Sequence, residues 1–217
     1  MNVTSHPVVR SGVLLGLIAL LGTALLAGVN ALTHDRILEQ EKLRTMQQLN
    51  SVVAVGSYDN DLLTDKIELS NEAYFRHPEP VTVYRARMDD KPVAALMIVT
   101  APDGYNGDIR ILIAIDVSGT VLGVRVISHR ETPGLGDPIE IERSDWILSF
   151  NDKSLLNPRD EGWAVKRDGG DFDQFTGATI TPRAVVKAVH NTLLYFKANN
   201  KAVSYTHLTL PTNIIRC

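Results

Sequence analysis

A short run near the C-terminal end of the chain combines hydroxyl side chains, a glycine and the start of a helical pattern. It reads Thr176-Gly177-Ala178-Thr179-Ile180-Thr181, and Pro182 follows it. A turn of this kind, leading into a helix N-terminus, leaves backbone N–H groups unpaired, and the helix dipole there favours negative charge. Gly177 and Ala178 are also small enough to let a phosphate approach the backbone. The run therefore predicts a site that can hold a phosphate group.

The threonines of this run also have an ordinary explanation, which is capping. Thr176 and Thr181 both fit a plain capping role, and Thr181 is predicted to cap a helix that begins at Pro182. Thr179 has the alternative of being a solvent-exposed turn hydroxyl. Asp173 lies before the run, where its carboxylate could cap the turn. The run alone therefore does not distinguish a phosphate site from an ordinary helix start.

Two glycine-bearing loops lie upstream of this run and offer groups that could bind a ligand. The first, Gly104-Tyr105-Asn106-Gly107, offers backbone donors and the aromatic plane of Tyr105. The second runs from Glu131 to Gly136 and places a stiff Thr-Pro turn between flexible residues. Its candidate site residues are Glu131, Thr132, Gly134 and Leu135. Two ordinary turns are the alternative.

The composition excludes several kinds of function. The net charge of −3 gives no basic surface, so we expect no nucleic acid partner. The single cysteine, Cys217, allows no disulfide and no thiolate metal site within the chain. The sequence has no metal-ligand cluster, no Gly-x-Ser-x-Gly and no P-loop, and Gly134-x-Gly136 lacks a third glycine. We therefore expect no metal and no catalytic acid or base; His129 is better explained as a polar residue that ends a strand.

An uncharged, apolar run extends from Ser11 to Thr33. A helix needs about 20 apolar residues to span a bilayer, whereas the apolar core of a cleaved signal peptide has about 7–15 residues. We therefore predict one transmembrane helix over residues 11–32, with a signal peptide cut near Val29-Asn30-Ala31 as the alternative. Arg10 precedes this helix, and the charges that follow it are mixed. We expect residues 1–10 in the cytoplasm and the rest of the chain outside it.

The remaining chain predicts an α+β domain. Residues 33–80 are expected to form a stalk helix, as far as Val53, and then an irregular linker. From Val81 the apolar pattern has a period of two, which is typical of antiparallel strands with one buried face. The domain, residues 81–199, is predicted to contain hairpins over residues 81–99 and 109–128, a helix over 139–150, a short strand over 163–166 and a helix over 182–199.

Residues 200–217 are predicted to be a tail. From Val203 the tail reads Val-Ser-Tyr-Thr-His-Leu-Thr-Leu-Pro-Thr, which looks like an in-frame translation of a transposase-type sequencing-library adapter. We therefore leave residues 203–217 out of the fold, as is usual for segments of this origin. A genuine polar tail is the alternative.

The run Asp173-x-x-Thr176-Gly177-Ala178-Thr179 resembles the flavinylation motif of the FMN-binding domain family. The layout of residues 10–198 resembles the G subunits of Rnf/Rsx-type electron transport complexes. It is similar, less closely, to the C subunits of sodium-pumping NADH:quinone reductases. Four features follow one another in the family's order: an N-terminal anchor, the segment Ala101–Gly107, the segment Glu131–Asp137 and the motif.

The resemblance implies that FMN is joined through its phosphate to the hydroxyl of Thr179. A separate flavin transferase would attach it from FAD with a divalent metal, because a threonine hydroxyl is a poor nucleophile. Asp173 would be recognised by the transferase, or would merely cap the turn. The two glycine-bearing loops would line the flavin. Lys166 would offset the phosphate charge, with an ordinary surface lysine as the alternative.

The resemblance also implies a function and a location. The protein would be an electron-relay subunit of a multi-subunit complex in a bacterial inner membrane, with its main domain in the periplasm. The complex would couple electron flow between ferredoxin and NAD to ion movement, or keep a redox-sensing transcription factor reduced. The protein would position and tune the flavin, which supplies the redox chemistry. The alternatives are a membrane-tethered binding or scaffold domain without flavin, and a free-standing periplasmic flavoenzyme.

Overall fold

The computed structural model describes residues 7–69 and 72–204. The described chain forms two units, one ending at Thr45 and one beginning at Met46. The first unit consists of helix α1, which spans Pro7–Asn50 and so also enters the second unit. By length and composition the stretch Val9–Asn50 can cross a membrane, with a mean hydropathy of 2.4 in its most apolar window. The predicted transmembrane helix and most of the predicted stalk lie within this one helix.

The second unit is built on an antiparallel sheet of five strands in the order β1-β2-β3-β4-β5. The strands are β1 (Lys66–Leu69), β2 (Val81–Met88), β3 (Lys91–Ala101), β4 (Ile109–Asp116) and β5 (Val121–Ser128). Both predicted hairpins are present. Asp89 and Asp90, which join β2 to β3, have φ angles of 50° and 59°. This left-handed backbone suits a tight hairpin turn, and aspartate tolerates it better than most residues.

The linker before the sheet is more ordered than we expected. The prediction of an irregular segment over residues 56–80 was wrong, because β1 and a short helix α2, Glu72–Phe75, lie within it. Strand β1 has only four residues and pairs with β2 from Lys66 opposite Tyr84 to Leu69 opposite Val81. Four residues show too little alternation of apolar and polar side chains for a strand to be recognised from the sequence. The segment becomes a strand because it pairs with β2.

The sheet is buried on both faces, so the expectation of one buried face was also wrong. On one face Val83, Met97 and Ile113 belong to a core that includes the apolar side of the last helix. On the other face Leu96 and Leu112 pack with residues around and after the end of α1, namely Leu49, Val52, Val53 and Leu62. The near-continuous apolar run of β4 agrees with burial from both sides.

Two predictions between β5 and the last helix were wrong. The predicted helix over residues 139–150 is replaced by short 3₁₀ helices at Asp137–Ile139 and Asp145–Phe150. The predicted strand over residues 163–166 is absent from the described chain; only Val165 forms an isolated bridge, to Phe172. The apolar residues here pack as an aromatic group instead, with ring centroids 4.7 Å apart for Phe150 and Phe172. Large rings make their contacts through loops as well as through regular elements.

The last helix, α3, spans Ile180–Ser204. It therefore begins before the predicted Pro182 and contains Thr181, whose predicted capping role was wrong. Asn199, the predicted end, has a non-helical φ of −119° inside the helix. The predicted apolar face of α3 is buried against the sheet: Val185, Val189, Thr192, Leu193 and Phe196. Residues 205–217, and with them most of the predicted tail, lie outside the described residues.

Candidate functional site

Three separate segments of the second unit meet around a cleft of about 230 Å³. Tyr105 comes from the loop between β3 and β4, and residues 131–136 come from the loop after β5. The third segment, residues 177–181, leads into α3. The cleft is lined by Tyr105, Glu131, Thr132, Leu135, Gly136, Gly177, Ala178, Thr179, Ile180 and Thr181. The structure thus brings together eight of the predicted site residues and adds Gly136 and Ile180 to them.

The buried carboxylate of Glu131 connects all three segments. Its Oε1 accepts a hydrogen bond from the backbone N–H of Asn106, at 3.0 Å. Its Oε2 accepts a hydrogen bond from the hydroxyl of Thr181. Only 4% of Glu131 is exposed, so these bonds replace the water that the carboxylate loses on burial. The shape of the cleft therefore depends on a residue that also forms part of its wall.

Two glycines allow the segments to approach this closely. A Cβ atom on Gly104 would lie 2.1 Å from the carbonyl oxygen of Gly107. A Cβ atom on Gly136 would lie 2.8 Å from the Cβ of Glu131 and 3.0 Å from the hydroxyl oxygen of Thr181. These are shorter than ordinary non-bonded contacts, so each position requires glycine unless its surroundings move.

Gly134, a predicted site residue, shapes the loop rather than lining the cleft. Its φ of +78° lies in the left-handed region, which glycine adopts most easily. Its backbone N–H donates to Oδ1 of Asp137 at 2.6 Å. The resulting turn directs the side chain of Leu135 to the cleft, where 46% of it is exposed.

Thr179 occupies the position immediately before α3. Its carbonyl oxygen accepts the backbone N–H of Arg183 at 3.3 Å, which is the first bond of the helix. The turn before it is set by Gly177, with a φ of +82°, and by a bond from the N–H of Ala178 to the carbonyl of Phe175. The hydroxyl oxygen of Thr179 accepts a hydrogen bond of 3.4 Å from Nη1 of Arg167. A guanidinium group thus contacts the hydroxyl that the resemblance identifies.

Three other predicted site residues lie outside the lining of the cleft. Nζ of Lys166 lies 2.5 Å from Oδ1 of Asp173, and both side chains are exposed. The charge of this lysine is therefore already paired with a carboxylate. The backbone carbonyl of Asp173 accepts a hydrogen bond of 2.8 Å from the indole N–H of Trp146, which fixes the start of the loop. Thr176 is exposed.

A second ion pair lies beside the start of α3. Arg183 donates from Nε and Nη2 to the two carboxylate oxygens of Asp168, at 2.6 and 2.8 Å. These hydrogen bonds hold the pKa of Asp168 below its usual range and raise the pKa of the guanidinium of Arg183. Both groups therefore remain charged near neutral pH.

His129 supports the loop after β5 and does not reach the cleft. Its Nδ1 accepts the backbone N–H of Glu131 at 3.0 Å, and Nε2 lies 2.9 Å from Oε1 of Glu140. Its position directly after β5 matches the prediction of a polar residue that ends a strand. Among the described residues, no group of three His, Cys, Asp or Glu side chains could hold a metal ion.

Sequence reasoning missed Asn106, Gly136 and Arg167. Asn106 uses both its backbone N–H, to Glu131, and its side-chain Nδ2, which donates to the hydroxyl of Thr132 at 3.1 Å. The sequence marks Gly136 as the end of its loop and as part of a Gly134-x-Gly136 pattern that lacks a third glycine, but not as a site residue. For Arg167 the only available signal was its place beside Lys166, since nothing in the sequence shows which of the two cations faces Thr179.

The residues around the cleft fit a phosphorylated aromatic cofactor such as FMN. Arg167 and the backbone N–H groups of Ile180 and Thr181, in the first turn of α3, are donors suited to a phosphate. The exposed side chains of Tyr105 and Leu135 offer apolar surface to a flat ring. The small residues Gly177 and Ala178 also line the cleft.

Two family models match the chain. A model described as the FMN-binding domain matches residues 104–194, a range that contains every segment of the cleft. A model described as the RnfG N-terminal region matches residues 1–52. Together they cover the apolar part of α1, strands β4 and β5, and α3 as far as residue 194.

Full-length relatives agree with both models. The chain is 48% identical over 206 residues to the G subunit of the ion-translocating oxidoreductase complex of Shewanella loihica, covering 95% of each chain. The protein of the same name from Shewanella amazonensis is 49% identical over 192 residues, 88% of this chain and 89% of that one. The one from Pseudomonas aeruginosa is 45% identical over 198 residues, 91% and 92% of the two chains.

Proposed function

The chain belongs to the family of G subunits of ion-translocating oxidoreductase complexes and contains an FMN-binding domain, and we propose that it carries FMN on Thr179 and relays electrons in such a complex. One observation above all supports the attachment. The hydroxyl of Thr179 lies at the start of a helix, in a cleft with Tyr105 and Leu135 and in contact with a guanidinium. The attachment point for a phosphate, a positive charge to balance it and an apolar surface for a flat ring therefore lie at one place.

The attachment requires a separate enzyme. In the described chain the hydrogen-bond partner of the Thr179 hydroxyl is Arg167, a donor that cannot take up a proton. A flavin transferase would therefore supply the base. The threonine oxygen attacks the flavin phosphorus of FAD, the bond between the two phosphates breaks and AMP leaves. The hydroxyl proton passes to the base of the transferase, and nothing is oxidised or reduced.

Once attached, FMN supplies the electron-transfer chemistry, and the protein holds it in place. Tyr105 and Leu135 would cover the apolar surface of the flavin ring. The buried Glu131 holds the loop of Asn106 and the first turn of α3 at a fixed distance from its own loop. This role needs no acid or base from the chain. By the family resemblance, the electrons pass between ferredoxin and NAD, and the partners are the other subunits of the complex.

The location follows from helix α1. A subunit of such a complex whose described residues contain one candidate membrane span, near the N-terminus, belongs in the inner membrane. We propose that the domain from Met46 onward lies in the periplasm, because Arg10 precedes the span and the charges after it are mixed. A covalent bond would then keep the flavin from diffusing out of the periplasm.

The attachment is tested by co-expressing the full chain with a flavin transferase and viewing a denaturing gel under ultraviolet light. We expect a fluorescent band for the unchanged chain and for Thr176→Ala, weaker fluorescence for Thr179→Ser, and none for Thr179→Ala. A band that survives Thr179→Ala would show that another residue is the acceptor. A dark unchanged chain beside a fluorescent known flavoprotein would instead favour a scaffold domain without flavin.

A further inference from the structure

Arg167 is the cation that contacts the hydroxyl of Thr179, with Nη1 3.4 Å from the hydroxyl oxygen. We propose that Arg167 is the binding residue for the phosphoryl group at Thr179, during its attachment and afterwards. This inference rests on the proposed flavin attachment and adds a residue that the sequence did not single out. It also assigns to Arg167 the role that the sequence had suggested for Lys166.

The charges around the acceptor support this assignment. Lys166 is paired with Asp173 at 2.5 Å, and Arg183 binds both carboxylate oxygens of Asp168. Arg167 has no carboxylate within ion-pair distance in the described chain, although its charge contributes to the low pKa of the neighbouring Asp168. The group of five charged residues therefore has one positive charge left over. A phosphodiester carries one negative charge, so the two are complementary.

The backbone of Arg167 is held firmly beside the acceptor loop. It lies in a 3₁₀ turn, Lys166–Asp168. Val165, the residue before this turn, is buried and forms a bridge to Phe172, which is also buried. The N–H of Lys166 donates to the carbonyl of Phe172 at 2.7 Å. The N–H of Arg167 donates to Oε1 of Gln174 at 3.2 Å, which connects this turn to the segment that leads to Thr179. Because the backbone is already fixed, only the side chain of Arg167 has to become ordered for its guanidinium to bind a phosphate.

The chemistry of the guanidinium suits both stages. Because Arg167 donates to the hydroxyl oxygen of Thr179, the hydroxyl proton is left free for removal by an external base. Once the phosphodiester has formed, the planar group can donate two hydrogen bonds to its oxygens, which a lysine ammonium cannot match in geometry. Both effects lower the free energy of a negatively charged phosphoryl group at this position.

The test measures attachment kinetics on the full chain, purified in detergent from cells without a flavin transferase. Transferase, FAD and Mg²⁺ are added, and covalent flavin fluorescence is followed after denaturation. The variants are Arg167→Gln, Arg167→Lys and Lys166→Gln. Arg159→Gln is the matched control, since Arg159 is an exposed arginine for which the described residues show no ion pair. Circular dichroism checks that each variant is folded.

We expect Arg167→Gln to lower the initial rate by about threefold to tenfold, with Arg167→Lys in between. Lys166→Gln and Arg159→Gln stay within about twofold of the unchanged chain. Added salt slows the unchanged chain more steeply than Arg167→Gln, because the attraction being screened is absent from the variant. A merely structural role for Arg167 would not change the salt dependence.

Other results overturn the inference in recognisable ways. Equal rates for Arg167→Gln and the unchanged chain, both modified on Thr179, reject the role of Arg167 and leave the attachment standing. An equal loss in Lys166→Gln or Arg159→Gln shows a general effect of positive charge and rejects the specific assignment. An unchanged chain that gains no flavin, beside a control protein that does, rejects the attachment and this inference together.

Discussion

The hydroxyl of Thr181 donates a hydrogen bond to the carboxylate of Glu131, although the two residues are 50 positions apart in the chain. Thr181 belongs to the first turn of α3, and Glu131 belongs to the loop after β5. The same carboxylate accepts the backbone N–H of Asn106 from a third segment. The relative positions of the three cleft segments therefore depend on one buried polar group.

This relationship predicts that substitutions at Glu131 and Thr181 are not additive. Glu131→Ala and Thr181→Val each leave a buried polar partner unsatisfied, and each should lower the unfolding free energy by about 1–3 kcal/mol. The double variant should lose less than the sum, with a coupling energy of about 0.5–3 kcal/mol. Denaturant unfolding of the full chain in detergent, followed by tryptophan fluorescence, measures all of these values.

The control for this cycle is Thr192→Val. The hydroxyl of Thr192 is also buried, but it donates within α3 to the carbonyl of Ala188. The loss of unfolding free energy in Thr192→Val should add to the loss in Glu131→Ala within about 0.5 kcal/mol. Strict additivity for Thr181→Val as well would show that the bond to Glu131 contributes no coupling.

A second prediction concerns Gly104 and Gly107. A Cβ on Gly104 would lie 2.1 Å from a backbone oxygen, whereas a Cβ on Gly107 would meet nothing within 4 Å. Gly107 has a φ of +113°, so alanine there costs backbone strain of about 1 kcal/mol. We expect Gly104→Ala to destabilise the chain by about 1–3 kcal/mol, and by more than Gly107→Ala. Thermal unfolding measures both losses. A larger loss for Gly107→Ala than for Gly104→Ala would contradict the close approach of Gly104 to the carbonyl oxygen of Gly107.

The proposed acceptor site could be predicted from the sequence because its residues are contiguous. The run from Asp173 to Thr181 contains the hydroxyls, the small residues and the helix start, so a phosphate site could be predicted there without knowledge of long-range contacts. The sequence could not show in the same way whether Lys166 or Arg167 contacts Thr179. Adjacent residues point in different directions in a 3₁₀ turn. Which of them contacts Thr179 depends on how the turn is held against residues 172–174, several positions away in the chain.

The parts of the fold that were missed depend on distant partners. Strand β1 exists because it pairs with β2, and its four residues have no strong pattern of their own. The second buried face of the sheet exists because residues such as Val52 and Leu62 pack over it. Local periodicity records that a residue is apolar, but not whether a distant segment returns to cover it.

A third prediction separates stability from recognition at Asp173. Its ion pair with Lys166 is exposed on both sides, so Asp173→Asn should change the unfolding free energy by less than about 0.5 kcal/mol. The family resemblance implies that the transferase recognises this carboxylate, with capping of the turn as the alternative; recognition predicts that the same variant gains covalent flavin more slowly. Asp171→Asn, an exposed acid two positions earlier, is the control and should be modified normally. Normal modification of Asp173→Asn would remove the recognition role.

A fourth prediction concerns pH and His190. Burial lowers the pKa of His190 from its ordinary value of 6.5, although Asp160, 3.0 Å away, opposes the shift. The ring is stacked on Trp163 with an interplanar angle of 4°. Because the unfolded chain takes up this proton more readily than the folded one, stability should fall as the pH drops below about 6.5.

The measurement for His190 is denaturant unfolding between about pH 5 and 8, a range above the ordinary pKa of 3.8 for aspartate. In His190→Gln the loss of stability on acidification should be smaller than in the unchanged chain. In Asp160→Asn the pKa of His190 should fall further, since the opposing charge is gone. Identical pH profiles for the unchanged chain and His190→Gln would contradict the effect of burial.

The most direct test of the account is the intact mass of the chain purified from its own host, followed by peptide mapping. We predict that the mass exceeds that of the polypeptide by one FMN less one water, and that the peptide containing Thr179 carries the addition. An unmodified polypeptide, isolated from cells with an active flavin transferase, would contradict the central claim. So would a flavin found on any other residue.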